Sequence, residues 1–555
     1  MAPFRYTTLL LSFCCQFFLE LQRSPRFSMG LIVSQSSRPQ TLSAAFLSAP
    51  RVQTPLSLLS PHEKLPVNSR GSRAFHDAAE GRGSFLGTDR TGRVQRGLGG
   101  AAFTYRPRQA KVFKIFSSPH NPGPCAEQNR PRILCTGLGV VSGVGLGIDE
   151  FWENLIAGTN VIDKVTHFDP SGMSCQIACE VSDQKFDPKV YYNDPKEVKR
   201  NDRYTHFAVA ASKMAMEDAG LSPSAPGLNP DRFGVVVGSG IGGLAMMEQE
   251  ARVLADKGPR RVSPFLIPAM IANTASGIVA IELGAKGPNH GAVSACATSG
   301  HAAGIALRYM QAGEADVMIC GGAEASITPL SFAGFNALKA MAQGFNDDPK
   351  RASRPFDKKR AGFVMGEGAG IMIFETEEHA LRRGAKKIYG EVAGYGATCD
   401  AHHVTAPAPD GSGLARCLEK AIAEAGVDKR DIGYINAHGT STPMNDRIET
   451  AAFKKVFGDD LARRLLISST KSMTGHCLGA TGGIEACVAA KVLETGTVPP
   501  TINQEQPDPD CDLNYVPNKA YTSTKPFEAV LTDTLGFGGH NAALVLRRYR
   551  PHKDP

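Results

Sequence analysis

Apolar and polar positions alternate in two different rhythms along most of the chain. Short, almost fully apolar runs such as "RILCTGLGVV", "RFGVVVGSG" and "ADVMICGGAEA" end in glycine or small residues. They read as buried strands. Between them, "RYTHFAVAASKMAMEDAGL" has helical apolar spacing, and a helix is expected from about Gly147. The grammar then repeats. "GSGLARCLEKAIAEAGVDKRDIGYINAHGTST" reads helix, turn, strand, polar loop, and "RRLLISSTKSMTGHCLGATGGIEACVAAKVLETG" reads strand, loop, helix. "EAVLTDTLGFGGHNAALVLRRY" reads strand, glycine turn, strand. Strands alternating with helices predict an α/β layered fold, with chemistry at strand ends and helix starts.

The first 130 residues do not follow this rhythm. "MAPFRYTTLLLSFCCQFFLELQ" (1–22) holds Arg5 and the apolar run Leu9–Leu19, the length of a signal-peptide core and too short to span a membrane. Residues 23–130 are rich in Arg, Ser, Pro and Gly and poor in acids, the composition of a disordered transit segment. The two in series resemble the bipartite leaders of proteins sent to plastids of secondary origin. This implies a stromal, apicoplast-type location after leader removal. A disordered tail or a start codon placed too early is the plainer alternative. No other run approaches 18 apolar residues, so no membrane span is expected in the mature protein.

Charge follows the same division. The whole chain of 555 residues carries a formal +7. Residues 1–130 hold 17 Lys/Arg against 6 Asp/Glu, and the remainder holds 44 against 48. The body is mildly acidic, which argues against a nucleic-acid partner. The 13 cysteines show no paired CxxC spacing, so neither a disulfide framework nor a zinc site is expected. "GSGIGG" (238–243) fits a dinucleotide fingerprint, but no second strand ending in an acid follows at the needed distance.

Four motifs carry candidate chemistry. Cys296, in "SACATSG", lies at the junction of a strand ("HGAVSA") and a helix. A helix start favours a thiolate and lowers the thiol pKa. On that stretch alone a packed core thiol is the favoured reading. His438, in "NAHGTST", is suited to hydrogen bonding or acid–base work, and Thr440 and Thr442 can share a cleft with it. In "SSTKSMTGHCLGATGGIEA", Lys471 and His476 precede a small-residue helix holding Glu485, which suggests an anion-stabilising site. In "LGFGGHN", glycines flank Phe537 and allow it to gate an apolar tunnel; a tight hairpin is the simpler reading.

Together these blocks, with "SPFLIPAMIANTASGIVAIELGAKGPN", "ASRPFDKKRAGFVMGEGAG" and "PPTIN", resemble the β-ketoacyl-acyl-carrier-protein synthases. These are the condensing enzymes of fatty-acid synthesis, and the type II elongating synthase is the nearest match. The resemblance runs from about Arg132 to Arg548. It implies a thiolase-like fold of two related halves, 131–385 and 386–550, each a mixed sheet, stacked in α-β-α-β-α layers as a homodimer. It implies Cys296 as the acyl-accepting nucleophile, His438 and His476 as the catalytic histidines, Lys471 as the accompanying lysine and Glu485 as support. Thr440 and Thr442 would contact phosphopantetheine, Phe537 would gate, and Ile241 and Phe335 would line the acyl pocket. Substrates would arrive on acyl carrier protein, with no cofactor of the enzyme's own. Elongation of fatty acids by malonyl condensation is the implied activity, with a discrete polyketide ketosynthase or a non-catalytic chain-length partner as alternatives. Thiolases and initiating synthases use one histidine and fit less well.

Two departures stand out. Ala361 replaces the usual acid of "RDGF", and Asp533 replaces an asparagine before the Phe537 turn. The family's structural cation site uses that region with Asn436 and Glu485, so the metal is left open.

Overall fold

The computed structural model describes residues 130–551. The two leader segments, 1–22 and 23–130, lie outside the described residues apart from Arg130.

Ten strands form one path, with Gly145–Leu146 pairing beside it on the first strand. They are β1 (Ile133–Ser142), β2 (Phe233–Gly238), β3 (Asn289–His290), β4 (Val317–Glu324), β5 (Gly368–Thr376), β6 (Gly390–Cys399), β7 (Ile432–Asn436), β8 (Leu466–Ser468), β9 (Ala529–Gly536) and β10 (His540–Arg547). The sheet order is β8-β7-β9-β10-β6-β1-β5-β4-β2-β3. Each half therefore contributes five strands in one order: first, fifth, fourth, second, third. The directions also agree. β2 runs parallel to β3 and β4, while β4–β5 and β5–β1 are antiparallel. β7 runs parallel to β8 and β9, while β9–β10 and β10–β6 are antiparallel. Only Leu134–Glu391 and Cys135–Gly390 join the halves across β1–β6.

The duplication extends to single residues. β1 has a bulge between Cys135 and Gly137, and β6 has one between Val392 and Gly394. After each bulge a helix lies directly on the strand backbone. A Cβ on Gly139 would lie 1.9 Å from Ala211 O, and one on Gly396 would lie 2.0 Å from Cys417 O. Only glycine permits that approach. The helices concerned are α1 (Arg203–Asp218) and α4 (Ser412–Ala425). With α2 (Thr274–Leu283) and α5 (Pro443–Phe457) they cover the two outer sheet faces. Between the sheets lie α3 (Thr298–Gln311) and α6 (Thr481–Thr495), which pack on each other and on strands of both halves. α6 is buried from Thr481 to Leu493, and its Gly, Ala and Cys content keeps it thin enough to sit there. This is the α-β-α-β-α stack of the thiolase-like fold.

Two local expectations differ from the structure. "HGAVSA" forms a strand only at Asn289–His290. The chain then turns, because the Ser294 N–H is taken by Thr298 Oγ1 at 2.8 Å. The stretch at Lys471 is not a polar loop but a buried helical turn, Lys471–Thr474.

Candidate active site

The centre of the site is a turn built twice. Ala295 adopts φ 51°, a left-handed conformation costly for a residue with a Cβ, and a 3-10 turn Ala295–Ala297 leads into α3. Leu478 adopts φ 44°, and the 3-10 turn Leu478–Ala480 leads into α6. Superposing the two turns in sequence puts Cys296 opposite Gly479.

Cys296 is buried on a cavity of about 590 Å³. His476 Nε2 lies 3.1 Å from Cys296 Sγ, and His476 Nδ1 lies 2.9 Å from Thr481 Oγ1. The His438 ring meets the His476 ring edge-on at 5.3 Å. Both imidazoles are held neutral, far below their usual range, first by burial and then by the nearby Lys471 charge. The thiol departs from expectation. Burial pushes it up to about 12, outweighing Lys471 and the N–H groups of Cys296 and Phe537 that face the sulfur. The resting Cys296 is therefore a neutral thiol beside an imidazole, not a free thiolate.

Lys471 is fully buried under the histidines. Its ammonium donates to the His438 carbonyl and to Glu485. Burial nevertheless raises the Glu485 carboxyl to about 8 against the pull of Lys471. Thr440 and Thr442 touch through their hydroxyls at 2.9 Å and line the cavity, and Thr442 also caps α5. Ile241, Phe335 and Phe537 line it as well. Phe537 sits in the β9–β10 hairpin, at the cavity wall. That hairpin is tied to the 400–408 loop by Gly538 N–H to Val404 O (2.7 Å) and Asn541 Nδ2 to Asp400 (2.7 Å).

Three residues went unassigned in the sequence. Phe363 packs edge-on against His476 (5.3 Å) and Phe335 (5.4 Å), bridging the histidine to the cavity wall at Phe335. Glu449 accepts the N–H groups of His438 (2.6 Å) and Gly439 (2.8 Å), fixing the histidine loop. Phe363 lies inside a block already quoted and Glu449 just beyond "NAHGTST", but nothing in their spacing singles them out. Glu324, at the end of β4, is the third. "GSGIGG" is also explained: its Ser239 hydroxyl and Gly240 N–H donate to the Glu324 carboxylate, not to a nucleotide.

Ala361 lines the cavity, so that position adds no acid to a wall that also holds Lys339. The implied cation can be tested against buried oxygens. Asn436 Oδ1, Glu485 Oε2 and both Asp533 oxygens have no hydrogen-bond donor, and Asp533 stands beside Glu449. Such an oxygen-only set fits a hard cation. Among the described residues no group of three His, Cys, Asp or Glu side chains is placed to hold a metal ion by those ligands alone. Backbone and amide oxygens would have to complete the shell.

Comparison with known proteins agrees with this geometry. Residues 130–380 match the β-ketoacyl synthase N-terminal domain and 389–505 its C-terminal domain. A 3-oxoacyl-[acyl-carrier-protein] synthase 2 of Synechocystis is 51% identical over 425 residues, 77% of this chain and 100% of the relative. One of Staphylococcus aureus is 47% identical over 422 residues, 76% of this chain and 99% of the relative. Among solved structures, a type II polyketide ketosynthase in complex with its acyl carrier protein matches with TM-score 0.69 at 35% identity, covering 76% of this chain and 100% of that one. A β-ketoacyl synthase of Burkholderia phymatum matches with TM-score 0.68 at 32% identity, with the same coverage. The duplicated halves, the cysteine turn and these matches place the chain in the β-ketoacyl synthase family.

Proposed function

We propose that the protein is an elongating 3-oxoacyl-[acyl-carrier-protein] synthase of type II fatty-acid synthesis. The observation that carries this is Cys296 Sγ, 3.1 Å from His476 Nε2 on a mostly apolar cavity, with two backbone N–H groups facing the sulfur.

The reaction divides into two half-reactions. In the first, Cys296 attacks the thioester carbonyl of an acyl chain carried on acyl carrier protein. His476 Nε2 takes the thiol proton as the sulfur–carbon bond forms. The N–H groups of Cys296 and Phe537 hold the oxyanion. The released pantetheine thiolate takes the proton from His476, and the acyl group stays on Cys296. In the second, malonyl carrier protein enters past Thr440 and Thr442. His438 and His476 donate to the malonyl thioester oxygen as the carbon–carboxylate bond breaks and carbon dioxide leaves. The enolate carbon attacks the acyl-Cys296 carbonyl, and collapse of that adduct expels the Cys296 thiolate, which takes up one proton from solvent to return to the resting thiol. The Thr481 hydroxyl can donate to or accept from His476 Nδ1, so it supports both tautomers this sequence requires. Lys471 keeps both imidazoles neutral and takes no proton-transfer step. A cation held by Asn436, Glu485 and Asp533 would supply charge compensation for the buried carboxylates.

With labelled acyl carrier protein, Cys296→Ala forms no acyl-enzyme; labelled enzyme from that variant would refute the nucleophile. His438→Ala loses malonyl decarboxylation, and undiminished carbon dioxide release would remove it from that role. The likeness to a polyketide ketosynthase supports the same chemistry on another chain. Mass spectrometry of products from C6 to C16 acyl carrier proteins separates the two readings, since single-cycle saturable products belong to the fatty-acid enzyme.

Three further parts belong to this reading. The edge strand β3 is exposed, as are Ile267, Ile281 and Val293 nearby in the same half, which supports a homodimer through that edge; light scattering at monomer mass would refute it. The acyl carrier protein partner is supported by the solved complex of the polyketide relative. Among the described residues no helix is long and apolar enough to cross a membrane. The composition of residues 1–130 supports plastid import and stromal residence, and a reporter carrying that segment but remaining outside plastids would refute it.

A further inference from the structure

The duplication carries one inference beyond the reaction itself, and it rests on the reading above. Along the first, fifth and fourth strands the registers of the two halves match residue for residue. Ser142 pairs with Gly368, which pairs with Glu324; Cys399 pairs with His540, which pairs with Gly536. Glu324 and Gly536 are therefore equivalent positions, each ending the fourth strand of its half. Cys296 and Gly479 are equivalent positions in the two turns.

In the first turn this arrangement leaves space. A Cβ on Gly536 would lie 3.3 Å from Cys296 N and 3.1 Å from Ala297 N, so glycine keeps clear the place where a thioester oxygen is to be held. In the second turn the same place is filled. Glu324 Oε2 accepts the N–H groups of Gly479 (3.0 Å) and Gly240 (2.8 Å), and Oε1 accepts the hydroxyls of Ser239 (3.0 Å) and Ser326 (3.1 Å). All four donors are neutral, and among the described residues no cation touches the carboxylate. The geometry is that of an oxyanion pocket with a carboxylate inside it: the Gly479 N–H is the counterpart of the Cys296 N–H, while the second donor is Gly240 and not Ala325, the counterpart of Phe537. A Cβ on Gly479 would lie 2.7 Å from Glu324 Oε2 and 2.2 Å from Gly240 N, so no nucleophile fits there.

We propose that Glu324 is the internal occupant of a second, duplicated oxyanion pocket, and that it positions the His476 turn and the Ile241 loop for the reaction at Cys296. Gly479 lies three residues beyond His476, and the intervening Leu478 is held at positive φ. A strained residue of this kind keeps its conformation only while its surroundings enforce it. The Glu324–Gly479 bond is one such restraint, and Ser299 Oγ on Gly479 O is the other. On the opposite side, Gly240 precedes Ile241 in the cavity wall. Glu324 touches no reacting atom; it is a positioning residue.

The test compares Glu324→Ala, which empties the pocket, with Glu324→Gln, which refills it with a neutral acceptor. Rates are expressed per acylatable Cys296, counted from the burst of labelled acyl loading, so unfolded protein does not enter. Glu324→Ala is expected to lose at least about tenfold in condensation kcat, with acyl carrier protein KM moving less than about twofold, because displacing a reacting group by about 1 Å costs this much or more. Glu324→Gln is expected to recover most of that loss, and added formate part of it. Wild-type kcat in Glu324→Ala would overturn the proposal, as would a Gln variant as impaired as the Ala variant. If Glu324→Ala does not fold, Glu324→Asp, one methylene too short to reach both N–H groups, takes its place with the same criteria. If Cys296→Ala formed acyl-enzyme, the functional reading itself would fall, a result these Glu324 variants cannot produce.

Discussion

The turn at Cys296 and the turn at Gly479 start from one backbone and end in opposite roles. Each has a left-handed non-glycine residue, a 3-10 turn and a buried central helix. The first carries the proposed nucleophile beside a glycine that leaves room for an oxygen. The second carries a glycine, a filled oxygen site and, three residues earlier, His476. The corresponding position before Cys296 is Val293, which is 59% exposed, whereas His476 is 3% exposed. A duplicated fold can thus divide one reaction between its copies: one turn supplies the sulfur, the other the imidazole. What assigns the roles is a few side chains at equivalent places, above all glycine or glutamate at the end of the fourth strand.

The most severe way to break this asymmetry is to plug the open turn. Gly536→Ala puts a methyl 2.6 Å from Ser294 O as well as against the N–H groups of Cys296 and Ala297. Loss of an oxyanion donor costs roughly 10²- to 10³-fold. A fall of that size in the rate of Cys296 acylation is expected, measured by rapid quench with labelled acyl carrier protein. Acylation within about threefold of wild type would mean that the oxygen is held elsewhere.

Much of this was legible in the sequence, and the parts that were not have a common cause. Strand and helix runs and the repeat could be read from apolar patterning; Cys296, both histidines, Lys471 and Phe537 stood out as candidates in local motifs, and the family resemblance supplied their roles. Glu324, Glu449 and Phe363 act across the fold. Glu324 is tied to Gly479 over 155 residues, and no local pattern marks a carboxylate as the filling of another segment's turn. The expected thiolate failed for a related reason. The helix start is visible in sequence, but the burial that pushes the thiol up to about 12 is a property of the assembled layers. Asp533 could be seen as a departure, yet its consequence depends on Glu449 and Glu485, both far away in the chain.

The histidines sharpen the comparison at intermediate size. His301, on the nucleophile helix and 2.6 Å from Ser294 Oγ, is lowered to about 4 by burial and then by His540. A histidine held below its unfolded value of about 6.5 contributes stability that is whole above pH 6.5 and is lost as pH falls toward 4, because the unfolded chain binds the proton first. The buried carboxyls raised in the second half, Glu449 to about 7 and Glu485 to about 8, have the opposite sign: stability they contribute at low pH is lost as pH rises through those values. The histidine part is therefore best isolated as a difference. The stability of the native protein minus that of His301→Gln is expected to fall by about 1.4 kcal/mol per pH unit between 6.5 and 4 in urea unfolding. A difference independent of pH would show that His301 is protonated in the fold.

The gentlest perturbation tests whether the two turns are one device. Ser299 lies on the nucleophile helix three residues after Cys296, and its hydroxyl donates to the carbonyl of Gly479. The Gly479 peptide is then held on both sides, by Ser299 on its oxygen and Glu324 on its nitrogen. Ser299→Ala leaves a buried carbonyl without that donor, which costs about 1 kcal/mol in folding stability. Thermal unfolding measures that loss. The coupling is read from a double-mutant cycle with Glu324→Gln, scored on condensation kcat. If the Gly479 peptide links the turns, the paired substitutions depart from additivity by more than about 0.5 kcal/mol, converted from the rate ratios. Strict additivity would mean that the cysteine turn and the histidine turn are positioned independently, each by its own half.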